Sequence, residues 1–144
     1  MQDPVRSVRL EWTGEAMRFR GGGTHPETPP IDIDGDNTSA PGPMLVLLLA
    51  VAGCTGSDIV QMLVKMRVEL TELSIEVEGV RRDDDPRRYD SVHLKYRISG
   101  RGLDDSKAER AVSLSVEKYC SVMHTLAPDI AVSYAVEIGD RAAR

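Results

Sequence analysis

The sequence has no surplus of positive charge. Its 144 residues include 18 Lys and Arg against 23 Asp and Glu, a formal net charge of −5, and the basic residues do not gather in one segment. Nucleic-acid binding depends on clustered cations, so we predict no nucleic-acid partner. With 41% hydrophobic and 28% charged residues, the chain is neither disordered nor collagen-like. Its length suits one domain over residues 1–144.

The sequence also lacks a secretory signal and a long apolar run. Residues Met1–Arg9 carry an acidic residue and arginines without an apolar core. The longest uncharged apolar stretch, Met44–Cys54, is far shorter than the roughly 20 residues of a membrane span. We therefore predict a buried helix segment, no membrane association and a cytoplasmic protein.

Familiar metal, phosphate and hydrolase motifs are absent. There is no Cys-x-x-Cys or His-Glu-x-x-His, and the three histidines are scattered, so we predict no metal. Gly21–Gly23 lacks the lysine and helix of a phosphate loop, and no serine nucleophile elbow is present. Asp32–Asp36 begins like a calcium loop, but Pro43 stands where that loop has its glutamate. We interpret this segment as a turn.

Hydrophobic periodicity predicts an α+β chain of order βββ-α-ββ-α-β, with mainly antiparallel sheet and a long central helix. The three parts are an N-terminal hairpin with a third strand (1–36), a central helix (43–68) and a C-terminal ββαβ segment (72–138). The predicted elements are strands over Val5–Trp12, Ala16–Arg20 and Ile31–Gly35, a helix from Pro43 through Arg67, strands over 72–79 and 89–99, a helix over 105–119 and a strand over Ile130–Val136.

Two sets of side chains are predicted to face the core from the C-terminal part. One face of the second helix and one face of the last strand are apolar, which is typical of elements that pack on a core. The helical set is Ala108, Ala111, Val112, Ser115, Val116, Tyr119 and Met123, and the strand set is Ile130, Val132, Tyr134 and Val136.

Cys54 lies at the start of a polar stripe on the central helix. Asp58, Gln61 and Lys65 follow it at helical spacing, so all four residues share one face. A thiol at the border of a dry and a wet surface suits attack on a hydrophobic peroxide, provided that a cation or donor stabilises the thiolate. Arg18 and Arg20, on one face of the second strand, are candidates for that cation. The alternative is that Cys54 is a small buried apolar residue.

Cys120 is the second cysteine and follows Tyr119 at the end of the second helix. It can be a packing residue, or it can form a disulfide with Cys54 if their Cα atoms lie within about 7 Å. The residues alone leave the roles of both cysteines open. Composition and spacing by themselves predict an α+β domain with two thiols and no more.

Two segments resemble the OsmC/Ohr family, the osmotically inducible and organic hydroperoxide resistance proteins. Pro43-Met44 leads through a leucine-rich run into Ala52-Gly53-Cys54-Thr55-Gly56-Ser57-Asp58-Ile59-Val60, with Lys65-Met66-Arg67 beyond, as in that family's central helix. Glu117–Val122 is similar to its second-cysteine segment. The Glu11-Trp12 strand, the Asp34-Gly35 turn and Gly-Cys-x-x-x-Asp are most similar to an OsmC-like branch.

The resemblance implies an intertwined homodimer with both helices at its interface. It implies a thiol-dependent peroxidase of the oxidative stress response, in which Cys54 is the peroxidatic thiol and Cys120 the resolving thiol. The substrate would be an organic hydroperoxide and the reductant a dithiol. No metal or organic cofactor is implied.

Two positions differ from the peroxidase branch and support an alternative. That branch has a glutamate at the position of Met44, paired with an arginine from the first hairpin turn, which is Thr13–Ala16 here. Arg18 on the adjoining strand is the candidate replacement. The alternative function is a non-catalytic dimer that binds a small hydrophobic ligand or senses oxidants.

Overall fold

The computed structural model describes residues 4–25 and 28–139. These residues form two compact units that divide between Leu47 and Leu48. The element order confirms the α+β prediction and adds one short helix. The elements are β1 (Val8–Trp12), β2 (Arg18–Gly23), β3 (Ile31–Asp34), α1 (Pro43–Lys65), β4 (Glu69–Arg81), β5 (Tyr89–Arg101), α2 (Asp105–Leu114), a π-helical turn (Ser115–Tyr119), α3 (Ser121–Thr125) and β6 (Ala131–Ile138).

The first unit is an antiparallel sheet of order β1-β2-β3. The predicted end of β2 at Arg20 is wrong, since the strand continues through three glycines to Gly23. The main chain of β1 approaches closely there: a Cβ at Gly21 would collide with the carbonyl oxygen of Arg9. The glycines, which usually weaken strands, allow this approach. Pro26 and Glu27, within the predicted proline-rich loop, lie outside the described residues.

Asp34 ends β3 and organises the turn that follows. Its buried carboxylate accepts main-chain N–H groups of Asp36 at 2.8 Å and Ser39 at 2.9 Å, and the Thr38 hydroxyl at 2.8 Å. These donors, led by Ser39, hold the pKa of Asp34 well below its usual range. The segment is therefore a turn, as predicted.

The second unit contains a sheet of order β4-β5-β6. β4 and β5 are antiparallel, with Ile75 opposite Tyr96, whereas β5 and β6 are parallel, with Tyr96 opposite Val136. The parallel pairing follows from the helical crossover between these strands. Inward-facing side chains of β5 are buried, and the outer face is charged: Arg97 pairs with Glu72 and Glu137.

Helix α1 contributes four buried residues to the core, namely Val51, Thr55, Ile59 and Leu63. It ends at Lys65, earlier than predicted, because Arg67 adopts φ of 62° and the Val68 N–H donates to the Leu63 carbonyl at 2.9 Å. This is a Schellman cap, with arginine in the place usually taken by glycine.

By length and composition alone, α1 could cross a membrane, since its 23 residues contain an 18-residue window of mean hydropathy 1.8. The sequence expectation, based on the shorter run Met44–Cys54, did not foresee this. Of that window, 22% is buried within the described residues, through the four core residues of α1. One such helix is weak evidence of a membrane span.

The second predicted helix is interrupted. Its start is confirmed by Asp104, whose carboxylate accepts the Lys107 N–H at 2.8 Å, but α2 ends at Leu114 and a π-helical turn replaces the expected last α-helical turn. Tyr119 is consequently 50% exposed, so its prediction as a core residue is wrong. On β6, Val132 is 40% exposed and also lies outside the core.

We expect Arg67→Gly to raise the free energy of unfolding by about 0.5–1 kcal/mol, because glycine adopts the left-handed conformation without Cβ strain. The matched control is Lys65→Gly, which should lower it by about 1 kcal/mol because Lys65 is helical. Urea unfolding measures both. Destabilisation by Arg67→Gly would contradict the assignment of the cap.

Candidate functional site

The two cysteines meet in the second unit. Cys54 is half-buried on α1, whereas Cys120 is fully buried between the π-helical turn and α3, and neither forms a disulfide. The Cys54 side chain acts on the Cys120 thiol, so the two side chains lie close together. The chain therefore brings together two thiols that lie 66 positions apart in the sequence.

The break in the second helix positions Cys120. Its N–H donates to the Ser115 carbonyl at 2.8 Å and closes the π-helical turn. Cys120 then caps α3: its Sγ accepts the Met123 N–H at 3.4 Å, and its carbonyl accepts the His124 N–H at 3.0 Å. The cysteine is thus held from both sides by main-chain hydrogen bonds.

Burial raises the pKa of the Cys120 thiol to about 11. The interaction with the Cys54 side chain acts in the same direction, and so does the charge of Asp58. The Met123 N–H opposes these effects. Cys120 is therefore a neutral thiol at neutral pH.

A chain of three buried hydroxyls ends at Asp58. The Thr55 hydroxyl lies 2.9 Å from Tyr96 Oη and 2.8 Å from Ser115 Oγ, and Ser115 Oγ donates to Asp58 Oδ2 at 2.8 Å. Thr55, Ser115 and Tyr96 are each 0% exposed. Buried hydroxyls need partners, and here each hydroxyl supplies one to the next.

The chain of hydroxyls has a single direction when Asp58 is ionised. A carboxylate only accepts, so Ser115 donates to it and must accept from Thr55, which in turn accepts from Tyr96. Burial raises the pKa of Tyr96 to about 12 and keeps its proton available for donation. All three hydroxyls thus orient towards the Asp58 carboxylate.

Asp58 also lines a cleft of about 520 Å³ in the second unit. The α1 wall continues through the predicted polar stripe, Gln61 and Lys65, and the opposite wall comes from α2 and the π-helical turn. The lining residues are Asp58, Gln61, Met62, Lys65, Met66, Arg110, Leu114 and Tyr119. The stripe that begins at Cys54 therefore leads into an accessible, mixed polar and apolar cleft.

Arg18 and Arg20, the candidate cations, lie on β2 in the first unit. Arg18 pairs with Glu15 at 3.1 Å and lies 4.0 Å from Asp34, and Arg20 pairs with Asp32 at 2.7 Å. Arg18 therefore has acidic partners other than the family glutamate. Its role towards Cys54 stays a prediction.

Sequence reasoning identified the two cysteines and Asp58 but missed Thr55, Ser115 and Tyr96. A usable signal was present, because Ser115 stands on the predicted apolar face of the second helix and a buried hydroxyl there requires a polar partner. Within residues 4–25 and 28–139, no group of three or more His, Cys, Asp or Glu side chains could hold a metal ion.

The fold and the site together define an α+β protein in which a cysteine of α1 and a cysteine between the π-helical turn and α3 lie close together. A family model described as OsmC-like protein matches residues 35–135. The chain belongs to this family, which confirms the resemblance drawn from its sequence.

Relatives of known sequence or structure cover nearly the whole chain. Protein YhfA of Escherichia coli strain K12 is 33% identical over 132 residues, which are 91% of this chain and 96% of YhfA. A hypothetical protein from Aquifex aeolicus VF5 is 30% identical, with a TM-score of 0.79 over 94% of this chain and 98% of that chain. The organic hydroperoxide resistance protein OsmC of Legionella pneumophila shares the fold at 14% identity, with a TM-score of 0.63 over 92% and 96% of the two chains.

At pH 8, we expect iodoacetamide to modify Cys54 and to spare Cys120, because the raised pKa leaves roughly one Cys120 thiol in a thousand ionised. The rate at Cys120 should rise about tenfold per pH unit up to about pH 11. Peptide mass spectrometry measures each site, and urea-unfolded protein, in which both thiols react, is the control. Equal labelling of both thiols in the folded chain would contradict the site.

Proposed function

We propose that the chain is a thiol-dependent peroxidase that reduces organic hydroperoxides, with Cys54 as the peroxidatic and Cys120 as the resolving thiol. The contact between the two thiols carries this proposal, because a resolving thiol must reach the oxidised one. The name of the Legionella protein of the same fold, organic hydroperoxide resistance protein, supports the substrate class.

In the proposed reaction, the Cys54 thiolate attacks the O–O bond of the hydroperoxide. The bond breaks, Cys54 becomes a sulfenic acid, and the leaving alkoxide takes up the proton that the Cys54 thiol released on ionisation and departs as an alcohol. Cys120 then condenses with it, which forms a disulfide and releases water. A dithiol reductant restores both thiols, and the reaction needs no metal or organic cofactor. The order follows from access: Cys54 is half-buried, whereas Cys120 is buried and neutral.

Arg18 is the proposed cation for the Cys54 thiolate. Among the described residues its buried Nε has no hydrogen-bond partner, and its guanidinium pairs with Glu15 and lies 4.0 Å from Asp34. We also propose that the protein works in the cytoplasm, where reduced thiols are maintained.

The cleft favours a second candidate function, in which the chain binds a small hydrophobic ligand or senses oxidants without turnover. Met62, Met66 and Leu114 provide an apolar wall that such a ligand would contact. Saturable binding of an apolar fluorescent probe, together with thiols that survive hydroperoxide, would favour this function over the first.

We propose that the chain forms a homodimer through α1. Leu49, Val60 and Val64 are 60%, 41% and 61% exposed, and their spacing places them on one face of the helix. An exposed apolar stripe of this kind is typical of an interface. A second copy of the chain is the proposed partner.

We expect Val64→Glu to shift the protein towards monomer, because it places a charge in the proposed interface. Sedimentation velocity measures the change in mass. Val80→Glu, at an exposed valine of β4, is the matched control and should leave the mass unchanged. A purely monomeric unaltered chain at micromolar concentration would contradict the dimer.

We expect Cys54→Ser to abolish reduction of cumene hydroperoxide by dithiothreitol, because the attacking sulfur is lost. Cys120→Ser, treated with the hydroperoxide in the absence of dithiothreitol, should instead react once and then over-oxidise to a sulfinic acid, since the chain has no second thiol to resolve its sulfenic acid. Ser57→Ala, at an exposed position three residues after Cys54, is the control and should keep full turnover. Turnover retained by Cys54→Ser would overturn the proposed function.

A further inference from the structure

We propose that Asp58 is the general base of the resolving step: its carboxylate takes the proton of the Cys120 thiol and then gives it to the oxygen that leaves Cys54. The inference rests on the proposed peroxidase function and deepens it. It concerns the second step, which the arrangement of the two thiols alone does not explain.

The resolving step needs a base because the attacking species is a thiolate. Cys120 is 0% exposed, and its pKa of about 11 leaves it almost entirely protonated at neutral pH. Water has no direct access to take its proton. A neighbouring group must therefore accept that proton before Cys120 can attack.

Asp58 is placed to accept it. It lies one helical turn after Cys54 on the same face of α1, and its Oδ2 accepts a 2.8 Å hydrogen bond from Ser115, at the start of the π-helical turn that ends at Cys120. It is half-buried at the cleft, so its carboxylate also remains accessible to water.

The other titratable and charged groups around the thiols do not fit this role. Both ring nitrogens of His124 face main-chain carbonyls, those of Cys120 at 2.8 Å and Glu117 at 3.1 Å, so neither points to a thiol. Tyr96 keeps its proton, which the raised pKa retains. Lys65 and Arg110, which line the cleft, are cations, and Tyr119 beside them is half-exposed. Glu117, in the π-helical turn before Cys120, is exposed.

Ser115 is the positioning residue of this arrangement. Its side chain donates to Asp58 at 2.8 Å, and its carbonyl accepts the Cys120 N–H at 2.8 Å. One residue therefore connects the base to the attacking cysteine. Thr55 and Tyr96 complete the donor chain behind Ser115, so that the Ser115 hydroxyl is free to donate to Asp58.

The proposed step balances in atoms and electrons. The S–H bond of Cys120 breaks, and its proton passes to Asp58. The sulfur electron pair forms the S–S bond with Cys54 while the S–O bond of the sulfenic acid breaks. The leaving hydroxide takes the proton from Asp58 and becomes water. The Cys120 sulfur is oxidised, and the Cys54 sulfur is reduced.

The test separates the two steps in the full-length protein with cumene hydroperoxide. Sulfenic acid at Cys54 is trapped with dimedone, and loss of the Cys120 thiol reports disulfide formation. In Asp58→Asn, sulfenic acid should still form, but disulfide formation should slow by about a hundredfold. Its rate should also rise about tenfold per pH unit from pH 7 to 10, because without the base the rate follows the ionised fraction of the Cys120 thiol. The unaltered chain should show a much flatter profile.

Three further variants make the result specific. Ser115→Ala should slow disulfide formation and steepen its pH profile, and Ser115→Thr, which restores a hydroxyl, should recover part of the rate. Asp58→Glu retains a carboxylate and should keep the flat pH profile even if the rate falls. Glu117→Gln removes the same charge from an exposed position near Cys120 and should change neither step.

The outcomes distinguish this inference from the proposed function. If the unaltered chain forms no sulfenic acid, both proposals fail. If sulfenic acid forms and Asp58→Asn resolves it at the same rate with the same pH profile, the general base is overturned and the peroxidase stands. If Asp58→Asn does not fold, Ser115→Ala and Asp58→Glu provide the test instead. The inference is then overturned by an unchanged pH profile of disulfide formation in Ser115→Ala together with a steep pH profile in Asp58→Glu.

Discussion

One main-chain hydrogen bond determines the geometry on which the candidate site depends: the Cys120 N–H donates to the Ser115 carbonyl at 2.8 Å and closes a π-helical turn. In a regular α-helix, the residue five positions after Ser115 would be rotated by about 140° from it around the helix axis. The wider turn instead leaves both residues buried and exposes Tyr119. Isolated π turns are frequent at functional sites, where they redirect side chains at a cost in helix stability.

The hydroxyl chain of Tyr96, Thr55 and Ser115 imposes a second constraint on the same core. Three buried hydroxyls are costly unless every one is paired, so the sheet, α1 and the π-helical turn must meet in one arrangement. The chain ends at a half-buried carboxylate rather than in an apolar interior, which lets the charged end keep its contact with water. A network of this kind restrains Asp58 and Cys120 together.

Much of this fold was predictable from local patterns. The alternation around Ile75 and Tyr96 identified the long strands, Asp104 identified the start of α2, and the face shared by Cys54 and Asp58 identified one side of the site. These features depend on residues that are close in sequence. Family resemblance supplied the pairing of Cys54 with Cys120.

Other features depend on interactions that local patterns do not contain. The π-helical turn adds one residue to a helical turn without a change in composition, so periodicity continued the helix through Tyr119. The early end of α1 at Lys65 requires an arginine in a left-handed conformation, which its residue type does not indicate. The partners of Ser115 lie 57 and 60 positions away, so only the folded chain brings them together. The most direct test of the central claim, that Cys54 and Cys120 form a working redox pair, is a free-thiol count on the reduced protein before and after one equivalent of an organic hydroperoxide, beside a parallel sample with hydrogen peroxide. The account predicts rapid loss of both thiols in each chain, faster with the organic peroxide, whereas survival of both thiols for hours would contradict it.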